Sequence, residues 1–507
     1  MATQKKSGVD QVHPEYCKNV DRWMQVDDVI EARVKCEGTK YLPKPNSQIN
    51  ECEPRAEYYT FHGQLDNDMY NAACMRHIGE VRTNDIRYEQ YKQRAMFYNF
   101  TRRTKDGMVG AIFRKDPKVE VPEQLEYLIR DVDGAGTNLT QQSRMVLDQD
   151  LRKGRAFLLV DMPSSDSPAS LADVNSGLMV PRIQKYEAQD VINWKTQRIG
   201  STVKVCMVVL RERKDIAEDM FSHECEKQYR VLMINSEGYY EQRLYQDDES
   251  FEVYDVRVNG QRINYIPGYF VGSEENDSTV DGAPLYDLSE VNIAHYRNSA
   301  DNEESSFIVG QPTLVIAPSA DFGSPEQFAQ ANPNGVAVGS RSGINVGAGG
   351  SAQMLQASEN NLAKQNMRDK EDQARQIGAE LISPSKNETA EAARIQKGAD
   401  TSVLSAVAGN VSEAYTDAIN MCGRFLGVVP IDGYSDEIKF ELNTDFFLST
   451  LTPQDRAQWM AEIMSGITPK TYYYKQLRKT GDVPADATDE DIAEQLEQDG
   501  FSSNGLM

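Results

Sequence analysis

The chain has 507 residues, enough for about three domains, and carries 54 Lys plus Arg against 78 Asp plus Glu, a formal charge of -24. That balance weighs against a general nucleic-acid coat, which needs many phosphate-neutralising cations. The cysteines number seven, without a C-x-x-C pair, so a disulfide framework is excluded and a reducing compartment is expected. The most apolar stretches, Phe157–Val160 and Val203–Leu210, are strand-sized, so no transmembrane helix or membrane insertion is expected. Met1–Gln11 is polar and lacks a signal-peptide core, which predicts a soluble protein, cytoplasmic at synthesis.

Residues 1–60 read as loop-rich, with Pro14, Pro43, Pro45 and Pro54. Residues 64–105 read as helical, with Tyr88, Tyr91, Ala95 and Tyr98 at helical spacing. Residues 119–153 predict two more helices, broken at Asp133-Gly134-Ala135-Gly136. Gly154 stands where a helix C-cap is expected, just before a buried strand at Ala156–Val160. Residues 181–271 switch to strand character with two hairpins. One pairs Tyr229–Ile234 with Tyr239–Tyr245 around Asn235-Ser236-Glu237-Gly238. The other pairs Phe251–Val258 with Arg262–Ile266 around Asn259-Gly260, the strongest local hairpin signal. A helix follows at Leu285–Ser305, then a Gly/Pro/Ser/Asn-rich section with short strands at 307–350.

Residues 351–426 predict a polar helix, a break and a very long helix. The break is Leu381-Ile382-Ser383-Pro384-Ser385-Lys386-Asn387-Glu388, where Pro384 stops the first helix and Ser385 with Glu388 forms a capping box for the second. Apolar or small residues then recur at Ala392, Ile395, Ala399, Val403, Val407, Val411, Ala414, Ala418, Cys422 and Phe425. A helix from Glu388 to Leu426 is roughly 58 Å long, against an average of about 11–12 residues for ordinary helices. A small-residue seam on such a rod suits packing against identical neighbours, and so a ring scaffold. Residues 430–507 are mixed and end acidic, with eight Asp or Glu and no Lys or Arg between Gly481 and Asp499.

No motif supports an enzyme. G-x-x-x-x-G-K-[ST] and G-x-S-x-G are absent. Gly347-Ala348-Gly349-Gly350-Ser351-Ala352 fits the loose form G-x-G-x-x-A, but its βαβ context is missing and a flexible glycine loop is the better reading. Asp131-Val132-Asp133-Gly134 fails the calcium-loop pattern and reads as a turn. Cys74-Met75-Arg76-His77 has metal-ligand spacing, but Cys17, Cys36 and Cys52 upstream are singletons, so ordinary thiols are preferred to zinc. His223-Glu224-Cys225-Glu226-Lys227 lacks the second histidine of a zinc-protease motif. Neither a metal nor a cofactor is expected. Lys92, Arg94, Arg102, Arg103, Lys105, Arg114, Lys115 and Lys118 face only Asp106 and Asp116, a local charge of +6 interleaved with Phe97, Tyr98 and Phe100. Salt bridging or a solvated face is the preferred reading, with nucleic-acid contact the alternative.

Several phrases carry a family resemblance. They are Gly38-Thr39-Lys40-Tyr41-Leu42-Pro43-Lys44, Tyr88-Glu89-Gln90-Tyr91-Lys92-Gln93-Arg94-Ala95, Gly107-Met108-Val109-Gly110-Ala111-Ile112-Phe113, Lys153-Gly154-Arg155-Ala156-Phe157-Leu158-Leu159-Val160-Asp161 and the run from Leu285 to Asp301. In that order, ahead of the helix–break–long-helix, they resemble the portal (head-to-tail connector) proteins of tailed bacteriophages from about residue 36 to 495.

The resemblance implies an α+β, portal-type fold: a mostly helical wing with a β-rich segment, paired stem helices, a small clip, a long wing helix and a C-terminal crown, assembled as a ring of usually twelve copies. By position, 1–284 corresponds to the wing (loop and helix to about 180, β-rich from about 181), 285–306 and 351–381 to the stem helices, and 307–350 to the clip. Residues 382–387 correspond to the tunnel loop, 388–429 to the long wing helix and 430–507 to the C-terminal wing and crown. The implied DNA-facing residues are Ser383, Pro384, Ser385, Lys386 and Asn387, with Lys364, Arg368, Glu371 and Arg375 lining the stem channel. The implied partners are further copies of the chain, double-stranded DNA in the channel, the terminase large subunit, the major capsid and scaffolding proteins, and the head-tail adaptor. The implied location is the portal vertex of the virion, after assembly in the host cytoplasm. Another phage connector or tail-tube ring protein is the alternative. The expected helix at 351–381 is polar nearly all round (Asp369, Lys370 and Asp372 besides the four residues above), which suits charge pairs to ring neighbours.

Overall fold

The computed structural model describes residues 8–44, 85–162, 179–216, 221–246, 251–258, 260–333, 335–336, 343–356, 361–378, 390–444, 453–480, 483 and 487–498. Helix α1 (Pro14–Ile30) starts on His13, whose Nδ1 accepts the Glu15 amide proton at 3.2 Å. Residues 85–94 are helical (α2), and α3 spans Phe100–Ile112. The helical reading of 64–105 holds for 85–94 and 100–105 and is corrected at residues 95–99, including Ala95 and Tyr98, which lie outside any helix; residues 64–84 lie outside the described residues. Asn99 explains the break. Its Oδ1 caps α3 at the Arg102 amide (2.9 Å), while its Nδ2 donates to the Val29 and Ile30 carbonyls at the end of α1 (2.6 and 3.0 Å).

Strand β1 (Lys118–Glu120) and the short α4 (Tyr127–Arg130) precede α5 (Leu139–Lys153). Asn138 and Gln141 form a capping box for α5, and Gly154 ends it in the left-handed region at φ 66°. Strands β2 (Arg155–Asp161) and β3 (Arg182–Glu187) are followed by β4 (Val191–Ile199), β5 (Thr202–Asp215), β6 (Cys225–Ile234), β7 (Tyr240–Tyr245) and β8 (Phe251–Tyr254). The last five form one antiparallel meander, in which Tyr229 faces Tyr245 and Ile234 faces Tyr240, as the first hairpin predicts. The second hairpin is corrected. Phe251–Tyr254 pairs with β7 instead, leaving only β9 (Arg257–Val258) against β10 (Gln261–Arg262). Strand β11 (Gly268–Gly272) completes a three-stranded sheet of order β11-β2-β3.

Helix α6 (Tyr286–Val309) leads through β12 (Thr313–Ala317) and α7 (Pro325–Ala331) to β13 (Ser351–Leu355) and α8 (Leu362–Ile377). The expected single helix over 351–381 is thus corrected at its start: Ser351–Leu355 is drawn into an antiparallel ladder, with Ser351 opposite Ala317 and Leu355 opposite Thr313. Helix α9 (Ala390–Phe425, 36 residues) matches the long helix within two residues at its start and one at its end. Strand β14 (Lys439–Glu441) returns to pair with β1, and α10 (Pro453–Met464), α11 (Lys470–Thr480) and α12 (Asp489–Gln498) follow.

From Val407 to Phe425 the seam on α9 does not wait for a neighbouring copy; the side chains of Ala392, Ile395 and Ala399 lie outside the described residues. Val407, Val411, Ala414, Ala418, Cys422 and Phe425 are buried within their own chain, where α9 packs on β11, β2, α5 and β14. Small side chains there let a helix lie close on a sheet, which is why the seam reads like an oligomer interface. Val403, at the near end, is exposed. Two buried cations brace the same core. Lys153 Nζ meets Glu187 Oε2 at 2.9 Å, Asp27 Oδ2 at 3.1 Å and Gln189 Oε1 at 3.0 Å. Arg155 lies between the Trp194 and Phe270 rings, 4.2 Å from each centroid, and burial lowers its pKa to about 10.

Candidate functional site

The most distinctive element is the arm formed by α6 and α8. They run antiparallel: His295 Nε2 lies 3.3 Å from Glu371 Oε1 midway, and Gln356 Nε2 donates to the Val309 carbonyl at 3.2 Å near the far end. Helix α6 is anchored along most of its length by polar contacts to three helices. Asn292 Oδ1 accepts from the Thr101 hydroxyl at 2.9 Å, Tyr91 donates to Asp301 at 2.7 Å, and Arg94 pairs with Glu304. Gln25 of α1 donates to Ser289 Oγ at 3.3 Å. Burial holds the His295 imidazole below its usual pKa despite the Glu371 carboxylate, so this contact joins a neutral ring to the acid.

At the far end the β12–β13 ladder carries a compact loop unit. Asn332 mimics a peptide group: its Oδ1 accepts from the Asn345 amide at 2.8 Å and its Nδ2 donates to the Asn345 carbonyl at 3.0 Å. Ser319 donates to the Ala348 carbonyl at 2.6 Å. The ladder itself covers little. Every residue of Ser351–Leu355 is exposed, as are Thr313, Val315 and Ala317 opposite.

Lys364, Arg368 and Arg375 recur at helical spacing on α8 and are exposed. Arg375 pairs with Asp372 at 2.7 Å. Glu371 falls on the same stripe, three residues after Arg368 and four before Arg375, and is half-buried against His295. The tunnel-loop residues Ser383, Pro384, Ser385, Lys386 and Asn387 lie outside the described residues.

The basic stretch from Lys92 to Lys118 is engaged mainly within the chain. Lys92 pairs with Glu89 (2.9 Å), Arg102 with Asp106 (3.7 Å), Lys105 with Asp148 (2.5 Å) and Lys118 with Glu120 (2.7 Å). Arg103 lies over the Tyr98 ring at 4.5 Å. The salt-bridge reading describes this surface better than a phosphate-binding one. Asp131 and Asp133 are turn-formers: Asp131 Oδ1 accepts the Gly134 and Gly136 amides, and Asp133 Oδ1 those of Ala135 and Thr137. The Gly347 motif precedes a strand, β13, and not a helix. Cys17 and Cys36 are exposed free thiols, Cys52, Cys74 and His77 lie outside the described residues, and no group of metal-ligating side chains occurs among the described residues.

Two clefts flank the β4–β5 hairpin. One, of about 650 Å³, is lined by His13, Trp194, Lys195 and Cys206. The other, of about 410 Å³, lies between the hairpin and α9 with Asp277, Glu413 and Asp417 on its wall. Sequence reasoning placed short strands within 307–350 but missed that Thr313–Ala317 pairs with Ser351–Leu355, and it missed the buried Lys153 and Arg155, which carried no signal.

A family model described as "Domain of unknown function (DUF4055)" matches residues 284–426, the span from α6 through α9. No curated protein matches the chain. Similar solved chains include one from the virion of a native gene transfer agent (GTA) particle, at 14% identity over 73% of this chain and 87% of that chain, TM-score 0.39. Another is from the neck of the empty GTA particle, at 13% identity over 75% and 88%, TM-score 0.39. A third is from the neck of the native GTA particle computed with C12 symmetry, at 14% identity over 73% and 87%, TM-score 0.38. Overlap at these scores is too loose to carry an argument about this chain. Its own fold is a mixture of helices and antiparallel sheets, with no helix among the described residues long and apolar enough to cross a membrane.

Proposed function

We propose that this chain is the subunit of a portal-type ring, a non-enzymatic channel for double-stranded DNA at one vertex of a phage-like capsid. The observation that carries the reading is the arm: two antiparallel helices holding out a two-stranded ladder that is exposed on both strands. An isolated two-stranded ribbon is marginal in water. Such a ladder gains stability by contact with neighbours, and a ring places the same contact around every subunit. The ordered phrases that resemble portal proteins point the same way.

In this reading α6 and α8 are the stem, the ladder with its loop unit is the clip, and α9 is the long wing helix. Lys364, Arg368 and Arg375 face the channel, with the 382–387 loop nearest DNA. The net charge of -24 lets DNA slide, because each phosphate contact tethers the strand by releasing counterions. The clip takes the terminase large subunit during packaging and the head-tail adaptor afterwards; capsid and scaffolding proteins meet the wing.

The test is assembly of the purified full-length chain. Negative-stain images and native mass spectrometry should give closed rings with a central hole. Monomers or dimers alone at micromolar concentration overturn the reading, and open stacking into tubes favours a tail-tube component.

A further inference from the structure

The three C-terminal helices present an unfinished interior. Among the described residues of α10, α11 and α12 only Ile492 is a buried apolar side chain. Met460, Met464, Ile467 and Tyr472 are exposed together on the α10–α11 corner. Stability at this size comes from apolar burial, and the described side chains of these helices supply little of it. The exposed methionine–isoleucine corner is an apolar surface open to a partner.

Charge identifies that partner. Helix α11 carries Lys470, Lys475, Arg478 and Lys479 and no acid, whereas α12 carries Asp489, Glu490, Asp491, Glu494 and Glu497 and no cation. The two helices touch through one clamp, in which Arg478 pairs with Asp489 and donates to the Ala487 carbonyl at 2.8 Å. Lys470 and Lys475 on one side, and Glu490 and Glu494 on the other, are exposed. None of the four makes an ion pair among the described residues. A surface that is basic on one helix and acidic on the next is complementary to another copy of itself.

We propose that α10–α12 is a docking surface for a second copy of this chain. The α11 lysines of one copy meet the α12 glutamates of the next, and the methionine–isoleucine corner is covered as they close. The contact is heterologous, so repetition generates a ring where the rotation closes. This deepens the ring reading and rests on it for closure.

The experiment uses the full chain in two variants, K470E/K475E and E490K/E494K, with helix content checked by circular dichroism. Each is expected to raise the protein concentration for half-assembly about tenfold at low salt. Added salt should erase the difference, and an equal mixture of the two variants should assemble like the parent. Should a reversal lower helix content, K470Q/K475Q carries the same comparison with a smaller shift. Rings that form equally well in every variant overturn the surface and leave the ring reading standing. Rescue by the quadruple variant but not by mixing also overturns it, because the charges then pair within one chain. A parent chain that is monomeric throughout overturns both proposals. Charge-sensitive oligomers restored by mixing, but not closed, keep the surface and remove the ring.

Discussion

Tyr415 of α9 donates its hydroxyl hydrogen to Oε1 of Gln142 of α5 at 3.0 Å, across 273 positions of sequence. Gln142 passes the link on, its Nε2 donating to the Ile183 carbonyl of β3 at 2.8 Å. All three residues are buried, so the relay fixes the long helix against both α5 and the sheet. Tyr415→Phe leaves the glutamine oxygen unpaired and should cost about 1–3 kcal/mol. A urea midpoint unchanged from the parent's would show that the relay contributes nothing.

Two glycines with similar backbone separate conformation from crowding. Gly154 (φ 66°) and Gly200 (φ 63°) both sit in the left-handed region. A Cβ at Gly154 lies 2.5 Å from the Gly282 carbonyl oxygen, whereas nothing lies within 4 Å of one at Gly200. Gly200→Ala should therefore cost only the left-handed strain, about 1–2 kcal/mol. Gly154→Ala adds a backbone collision and should lower the melting temperature markedly more, or prevent soluble expression. Equal losses would refute the crowding argument.

Asp150 is fully buried and neither carboxylate oxygen has a hydrogen-bond partner. Burial, assisted by the Asp281 charge, pushes its carboxyl well above the usual range. The folded chain keeps this proton where the unfolded chain, with a pKa of about 3.9, releases it. The contribution to stability consequently declines as pH rises from there until the folded carboxyl also ionises. Asp150→Asn removes that slope, and its advantage over the parent should be larger at about pH 8 than at about pH 5. Denaturant midpoints that shift in parallel at both pH values would rule this out.

Asn332 is the pin of the unit at the end of the arm. Asn332→Ala removes both bonds to Asn345 and a third to the Phe328 carbonyl at 3.0 Å. Residues 343–350 should then be cut by protease at least several-fold faster while the α6–α8 pair stays protected. Unaltered cleavage would place the loop's order elsewhere.

Local chemistry was legible in the sequence and distant pairing was not. Gly154, the β2 strand and the Asn235–Gly238 hairpin were readable because each depends on residues within one turn or ladder. Asn259-Gly260 is equally good turn chemistry, yet Phe251–Tyr254 joins β7, since completing a five-stranded sheet outweighs a local hairpin. The break at 95–99 was hidden because the partners of Asn99, Val29 and Ile30, lie some seventy positions away. Strand β13 looked helical until β12 claimed it. Within the candidate site, the α8 cations were readable from helical spacing, but the partner of Glu371 stands 76 residues upstream.

The pairing of Lys118–Glu120 with Lys439–Glu441 sets a schedule for synthesis. At 5–20 residues per second, a ribosome takes roughly 15–60 s to travel from one strand to the other. Throughout that interval α5 and the sheet of β2 lack the helix that covers them, because α9 emerges just before β14. The nascent chain therefore carries an uncovered apolar face until α9 arrives. A ribosome stalled before residue 390 should leave a product that aggregates, whereas one stalled well after 441 should release a chain able to close.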